Sequence, residues 1–275
     1  MAVGMARAGA FIAARSMLAF VFAIFLPVGG VMPVLAQGTP GIAPVPKACA
    51  VPNGAIATDN TLPNVAKALK ERKKIVILAM GTGSVISRGA GGTPFDVVEK
   101  LIEETFRGVD VEIVNRGVSG ELAADAFERI KMEVALSGAD LVLWQLGMAD
   151  AMARLPVDEF KSTLDGAITW LQEHKVDVIL VGLRYAKGLA RDPHYQSVRK
   201  AIGDVGAHRK VMRIGRYAAE ETLAKIRQNE GVELSDVEAT DASYACMAEY
   251  LARAIAAGLF VRQSPAGGAS PKKAP

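Results

Sequence analysis

The chain has 275 residues, of which 51% are hydrophobic and 6% aromatic, and its formal net charge is +3. This hydrophobic content excludes an intrinsically disordered protein, and the length suffices for one large domain with a sizeable core. Two of the arginines lie in the first 36 residues, so the remainder of the chain carries a net charge of +1. A nearly neutral chain lacks the basic surface of nucleic-acid-binding proteins, and we expect no nucleic acid partner.

Residues 1–36 have the composition of a secretory signal peptide. Two arginines precede an apolar run from Met17 to Leu26, and small residues occupy the −3 and −1 positions before Gln37. The run ends at Pro27 and is shorter than the ~20 residues of a membrane-spanning helix. We therefore expect cleavage before Gln37, export to the periplasm or beyond, and no membrane span in the mature protein. An uncleaved membrane anchor is the alternative.

Strand-like and helix-like patterns alternate from residue 62 onward. Apolar runs predict strands at residues 74–80, 109–114, 140–146, 176–183 and 210–214, and the run 75–80, which carries no charge, is typical of a buried parallel strand. Apolar residues at helical spacing predict helices, at residues 62–72, 96–106, 119–136, 157–174, 197–205, 218–228 and 241–259. The alternation predicts a doubly wound α/β domain over residues 63–262, with a parallel sheet. An extended arm or linker, 37–62, precedes the domain, and a disordered tail, 263–275, follows it.

Cys49 and Cys246 are the two cysteines of the sequence. In an exported protein they favour one disulfide bond, which would join the arm to the last predicted helix. The alternative is a buried free thiol at Cys246 and an exposed one at Cys49. An exposed thiol would not persist in an oxidising compartment.

The Gly-rich loop that begins at Gly81 does not match a nucleotide-binding motif. A dinucleotide fingerprint needs a third glycine where Ile86 stands, and no Gly-Lys-Ser/Thr follows as in a phosphate-binding loop. The three histidines, His174, His194 and His208, have no second ligand at a spacing typical of metal sites. We therefore expect neither a cofactor nor a bound metal.

Four segments occur in an order that resembles the SGNH (GDSL-type) hydrolase family, particularly an exported bacterial branch. They are Ile77–Gly81, Asn115–Glu121, Leu141–Gly147 and Ser243–Ala248, and together they span nearly the whole predicted domain. The resemblance implies a flavodoxin-like three-layer α/β/α fold around a five-stranded parallel sheet. It also implies serine-dependent hydrolysis of carbohydrate or lipid esters at the carboxyl edge of that sheet.

The catalytic residues of the family match this chain at one position. Gly120 corresponds to the glycine whose N–H helps bind the oxyanion. Gly83 stands where the family has its serine, and Ala149 where it has its oxyanion asparagine. Ser235 and Glu238 occupy the places of the aspartate and histidine in its Asp-x-x-His motif. Loss of a nucleophile or base typically lowers kcat by a factor on the order of 10⁶, and loss of one oxyanion donor by ~10²–10³.

Three interpretations of the function follow. In the first, the protein is a degenerate hydrolase that binds a small molecule, a glycan or ester ligand, or a protein partner. Its ligand-binding residues would be polar groups near the rim of the sheet: Asn115, Asp150, Arg184 and Arg216. The two arginines could bind an anionic group or only brace loops by pairing with nearby acids.

In the second interpretation, the protein is an active ester hydrolase. Ser84, one residue beyond the family position, would be the nucleophile, with Gly120 as an oxyanion donor. Glu238 or His194 would be the base, although a carboxylate of ordinary pKa is a poor base for a serine hydroxyl. In the third interpretation, the domain is a structural or interaction module of the cell envelope with a vestigial cleft.

Overall fold

The computed structural model describes residues 44–52, 56–81, 94–234 and 236–260. The predicted signal peptide, residues 1–36, and the predicted tail, residues 263–275, lie outside these ranges. Within them, no helix is both long enough and apolar enough to cross a lipid bilayer.

The strands form one parallel sheet, as the alternation predicts. They are β1 (Lys74–Gly81), β2 (Asp110–Asn115), β3 (Leu141–Gln145), β4 (Asp177–Val181) and β5 (Met212–Ile214). Their order across the sheet is β2-β1-β3-β4-β5, and every neighbouring pair is parallel. This order is that of a flavodoxin-like fold, with the chain reversing its direction across the sheet between β1 and β3. The predicted fold class is therefore confirmed.

Helices connect the strands and cover both faces of the sheet. They are α1 (Pro63–Arg72), α2 (Pro94–Thr105), α3 (Ala123–Ser137), α4 (Met148–Met152), α5 (Val157–Glu173), α6 (Pro193–His208), α7 (Arg216–Asn229) and α8 (Asp236–Phe260). The short helix α4 has no counterpart among the predicted elements. Helix α6 begins four residues before its predicted start, because Asp192 caps it and Pro193 occupies its first turn.

Alternate residues of each strand enter two separate cores. In β1, Ile75 and Ile77 pack with α1, α2 and α8, whereas Val76 and Leu78 pack with α3, α5 and α6. All four side chains are buried. A strand with both faces covered in this way needs apolar residues at every position, which explains its uncharged sequence.

Two helix N-termini are capped by carboxylates that are distant in the sequence. Asp177 accepts hydrogen bonds from the N–H groups of Asn64 (2.9 Å) and Val65 (3.0 Å) at the start of α1. Burial raises the pKa of Asp177 to about 6. Asp150 accepts a hydrogen bond from the N–H of Ala123 at the start of α3, at 3.0 Å. The prediction that this helix starts at Ser119 was therefore wrong: α3 begins at Ala123, where Asp150 of α4 caps it.

The described part of the predicted arm pairs with the edge strand β5. Ala57 forms an antiparallel bridge with Ile214, and the N–H of Thr58 donates to the carbonyl of Arg213 at 3.0 Å. The N–H of Gly215 donates to the carbonyl of Ile56 at 2.8 Å. These contacts satisfy backbone groups that an uncovered edge strand would expose.

A disulfide bond joins Cys49 to Cys246, across 197 residues of sequence. The predicted pairing is thus confirmed, and it ties the arm to α8. Both cysteines are buried, and the Tyr250 hydroxyl donates a hydrogen bond to the carbonyl of Cys49 at 2.6 Å.

Replacing both cysteines, Cys49→Ala with Cys246→Ala, is expected to lower the free energy of unfolding by ~2–5 kcal/mol. The crosslink restricts the unfolded chain, and its loss makes unfolding more favourable. Urea unfolding followed by circular dichroism measures the change, and wild-type protein in excess reductant is the control that should lose a similar amount. Equal unfolding midpoints for the oxidised wild type and the double variant would contradict the expectation.

Candidate functional site

The carboxyl ends of β1 and β3 meet at the point where the chain reverses its direction across the sheet. Gly81, the last residue of β1, lies opposite Gln145 in the register. Its φ angle is +131°, and a Cβ atom added there would lie 2.3 Å from the carbonyl oxygen of Gln145. Only glycine tolerates this conformation and this close approach. In open α/β sheets such a point forms a crevice where ligands bind.

The loop after β2 is attached to the end of β1 by backbone hydrogen bonds. The N–H of Arg116 donates to Ala79 O and the N–H of Val118 donates to Gly81 O, both at 2.8 Å. The Asn115 side chain accepts a hydrogen bond from the N–H of Gly117 at 3.1 Å, so Asn115 orders the turn. The loop then reaches Gly120, whose φ angle is +76°. These contacts bring Gly120, the predicted oxyanion donor, to the crevice.

The crevice encloses a cavity of about 390 Å³. Its apolar lining comes mainly from α4 and the loops after β3 and β4. Its polar lining consists of six residues, Ser119, Gly120, Gln145, Arg184, Arg216 and Tyr244. The described lining thus contains two guanidinium groups but no carboxylate and no imidazole. We call this cavity the rim cleft.

Ala149 and Asp150 differ in their relation to the rim cleft. Ala149, at the family's asparagine position, lines the cleft with a methyl group. Asp150 is 2% exposed, and burial raises the pKa of its carboxyl group. One of its oxygens caps α3, and the other has no hydrogen-bond partner among the described residues. Asp150 is therefore a buried cap of α3 and is absent from the described lining of the cleft.

Arg216 is held by a buried network centred on Glu220. The Arg216 side chain is 2% exposed, and its Nε donates to Glu220 Oε1 at 2.9 Å. The Ser243 hydroxyl donates to the same oxygen, and the N–H of Tyr185 donates to Glu220 Oε2 at 2.6 Å. Both oxygens of Glu220 are thereby occupied. Of the two roles expected for the rim arginines, Arg216 has the second: it pairs with a nearby acid, Glu220.

Arg184 lines the rim cleft without such a partner. Its Nε is buried and has no hydrogen-bond partner among the described residues. Its backbone is fixed, because the Tyr195 hydroxyl donates to its carbonyl oxygen at 2.6 Å. Burial raises the pKa of Tyr195 to about 12, so that hydroxyl keeps its proton at neutral pH. Arg184 is therefore a positioned cation whose hydrogen-bonding capacity is unfilled within the described structure.

The structure describes only some of the predicted catalytic residues. Ser84, Gly83 and Ser235 lie outside the described residues, and of Glu238 only the backbone, in α8, is described. His194 lies in the first turn of α6, and its Nε2 is buried without a hydrogen-bond partner among the described residues. It is absent from the described lining of the rim cleft. The described residues contain no group of three side chains suited to bind a metal ion.

The residues of the site that were not predicted from the sequence include Glu220, Ser243 and Gln145. Glu220 and Ser243 form the network around Arg216, and Gln145 lines the cleft beside Gly81. Ser243 stands in a segment that resembles the SGNH family, so a signal for it existed. Glu220 follows Arg216 by one helical turn, a spacing typical of ion pairs, but nothing in the sequence indicates that the pair is buried.

A family model described as the non-GDSL lipase-like family matches residues 48–260. No curated protein is a significant match to the chain. The match covers almost the whole described structure, including β1 to β5 and the rim cleft.

Solved structures with a similar fold belong to esterases and lipases. A protein named as a GDSL-like lipase from Parabacteroides merdae superposes with a TM-score of 0.54 and 16% identity, covering 66% of this chain and 96% of its own. The lipase/acylhydrolase from Enterococcus faecalis gives 0.53 and 21%, covering 66% and 95%. A variant of Axe2, an acetyl-xylooligosaccharide esterase from a Geobacillus, gives 0.52 and 17%, covering 66% and 94%. At these identities the similarity concerns the fold.

The substitution Gly81→Ala is expected to lower the free energy of unfolding by at least ~2–4 kcal/mol, because the new methyl group would overlap the backbone of Gln145. Gly138→Ala is the matched control. Gly138 also has a positive φ angle, +65°, but a Cβ there meets no atom within 4 Å, so only the backbone cost of ~1–2 kcal/mol applies. Chemical denaturation of both variants measures the difference. Equal losses would show that the strand ends do not constrain residue 81.

Proposed function

The chain belongs to the non-GDSL lipase-like family, and we propose that it is an exported protein whose rim cleft binds a small ligand without hydrolysing it. The fold and the position of the cleft are those of an ester hydrolase. The proposal concerns what the cleft does in this chain.

The composition of the cleft lining is the observation that carries the proposal. Acyl transfer to a serine needs a base that accepts the hydroxyl proton and donors that stabilise the oxyanion. The described lining offers donors, from Gly120 and two arginines, but neither a carboxylate nor an imidazole. At the position of the oxyanion asparagine, Ala149 contributes a methyl group that cannot donate a hydrogen bond.

The sequence at the remaining family positions supports the same conclusion. Gly83 has no side chain to attack an ester, and Glu238 replaces the histidine base. A carboxylate near its ordinary pKa of ~4.3 is about two to three units too acidic to deprotonate a serine efficiently at pH 7. A cleft that keeps its walls and donors while losing base and nucleophile is suited to binding.

Export is the second part of the proposal. Residues 1–36 have the order of a signal peptide, with basic residues, an apolar run and small residues before Gln37. The disulfide between Cys49 and Cys246 supports export, because such bonds persist in oxidising compartments. Both the crosslink and the Pro-rich arm belong to the part of the chain that would remain after cleavage.

Purified protein is expected to hydrolyse p-nitrophenyl acetate no faster than its Ser84→Ala variant. Ser84 is the nearest hydroxyl to the family's nucleophile position, so serine chemistry at this loop would depend on it. The absorbance of released p-nitrophenolate checks this, and Glu238→Gln tests one of the two alternative bases. Turnover that Ser84→Ala abolishes would overturn the binding proposal in favour of an active esterase.

Expression of the full chain in a Gram-negative host is expected to yield a periplasmic protein that begins at Gln37. Mass spectrometry of the intact purified protein measures the N-terminus. Ala36→Arg is the control, since a large charged residue at the −1 position blocks signal cleavage. Recovery of the wild-type protein with residues 1–36 still attached would contradict a cleaved signal peptide.

A further inference from the structure

The rim cleft carries a positive charge that the described part of the protein does not neutralise. Arg184 and Arg216 both line it, and Glu220 is the one described carboxylate that contacts either of them. Glu220 accepts hydrogen bonds from Arg216, Ser243 and the Tyr185 N–H, and among the described residues no hydrogen bond or ion pair joins it to Arg184. The charges of Arg184, Arg216 and Glu220 sum to +1.

A buried charged donor without a partner is unfavourable, and a ligand that supplies an acceptor relieves this cost. The Nε of Arg184 is such a donor. A guanidinium group presents its N–H donors as a planar fork that matches the two oxygens of a carboxylate. The geometry therefore favours an anion with a planar pair of oxygens at Arg184.

The apolar lining of the cleft determines which kind of ligand fits beside the anionic group. Apolar side chains of Leu146, Met148, Met152 and Leu183 form the wall together with the methyl group of Ala149. The volume of about 390 Å³ lies in the lower part of the ~300–1,000 Å³ range of small-molecule sites. A ligand that fills this space needs an apolar body of modest length.

We propose that the rim cleft binds a monocarboxylate with a short apolar chain, its carboxylate held by Arg184 and Arg216 and its chain against α4. This inference rests on the proposed function, because it names the ligand class of the same cleft. One negative charge balances the sum of the charges on Arg184, Arg216 and Glu220, whereas a phosphate dianion exceeds it. Arg184 also lines a larger cavity of about 760 Å³ beside α7, but Arg216 does not, so a carboxylate that contacts both arginines lies in the rim cleft.

Isothermal titration of the purified protein with octanoate, octan-1-ol and inorganic phosphate tests the proposal. Octanoate is expected to bind at least ~10-fold more tightly than the alcohol, since a charged hydrogen bond accounts for the difference between them. Phosphate is expected not to bind measurably. Binding of octan-1-ol as tight as that of octanoate, or tighter binding of phosphate, would overturn the proposal.

Two variants and one control locate the site. Arg184→Gln is expected to weaken octanoate binding by ~10-fold or more. Lys187→Gln removes the same charge from an exposed position of the same loop, outside the rim cleft, and should change the affinity by less than about twofold. Ala149→Phe fills the cleft and should abolish binding without altering any charge, so it serves even if Arg184→Gln is unstable. Equal effects of the two charge variants, or unchanged binding by Ala149→Phe, would refute the site.

A hydrolysis assay and the titration, both on the same purified protein, distinguish a failure of this inference from a failure of the proposed function. Ser84-dependent hydrolysis of p-nitrophenyl octanoate would refute the absence of catalysis, and the titration would still report carboxylate binding. No hydrolysis together with no octanoate binding would refute the carboxylate site and leave the absence of catalysis intact.

Discussion

The close approach of β1 and β3 at their carboxyl ends is the constraint on which the rest of the site depends. Gly81 lies against the backbone of Gln145, in a conformation that excludes a side chain. The two strands pair at the point where the chain changes direction across the sheet, and in open α/β sheets a crevice forms at such a point. The loop after β2 is attached to the same strand end and brings Gly120 to the crevice. The strand order thus places the cleft at this edge of the sheet, and Gly81 allows the two strand ends to approach each other there.

Glu220 determines the electrostatic character of this cleft. Its two oxygens accept hydrogen bonds from a guanidinium group, a hydroxyl and a backbone N–H, so the buried charge of Arg216 is compensated. Arg184 lines the same cleft, and its buried Nε has no hydrogen-bond partner among the described residues. The carboxylate site proposed above depends on this difference between the two arginines.

Two residues near the rim cleft, Gly120 and Asp150, also have roles in the fold. The turn at Gly120 continues a loop that is hydrogen-bonded to β1, and the buried carboxylate of Asp150 caps α3. Changing either would disturb the fold as well as the cleft. Ala149, in contrast, lines the cleft with a methyl group that caps no helix and makes no hydrogen bond.

Much of the fold was determined by the sequence alone. Apolar runs identified each strand of the sheet, and the order of four short segments identified the family, because strand burial and loop geometry leave local patterns. Two cysteines sufficed to predict the crosslink. Only the tertiary structure decided that Asp150 caps α3, that Glu220 neutralises Arg216, and that Arg184 remains available at the cleft. These facts depend on which side chains meet across distant parts of the chain, and on how deeply they are buried, neither of which a local pattern records.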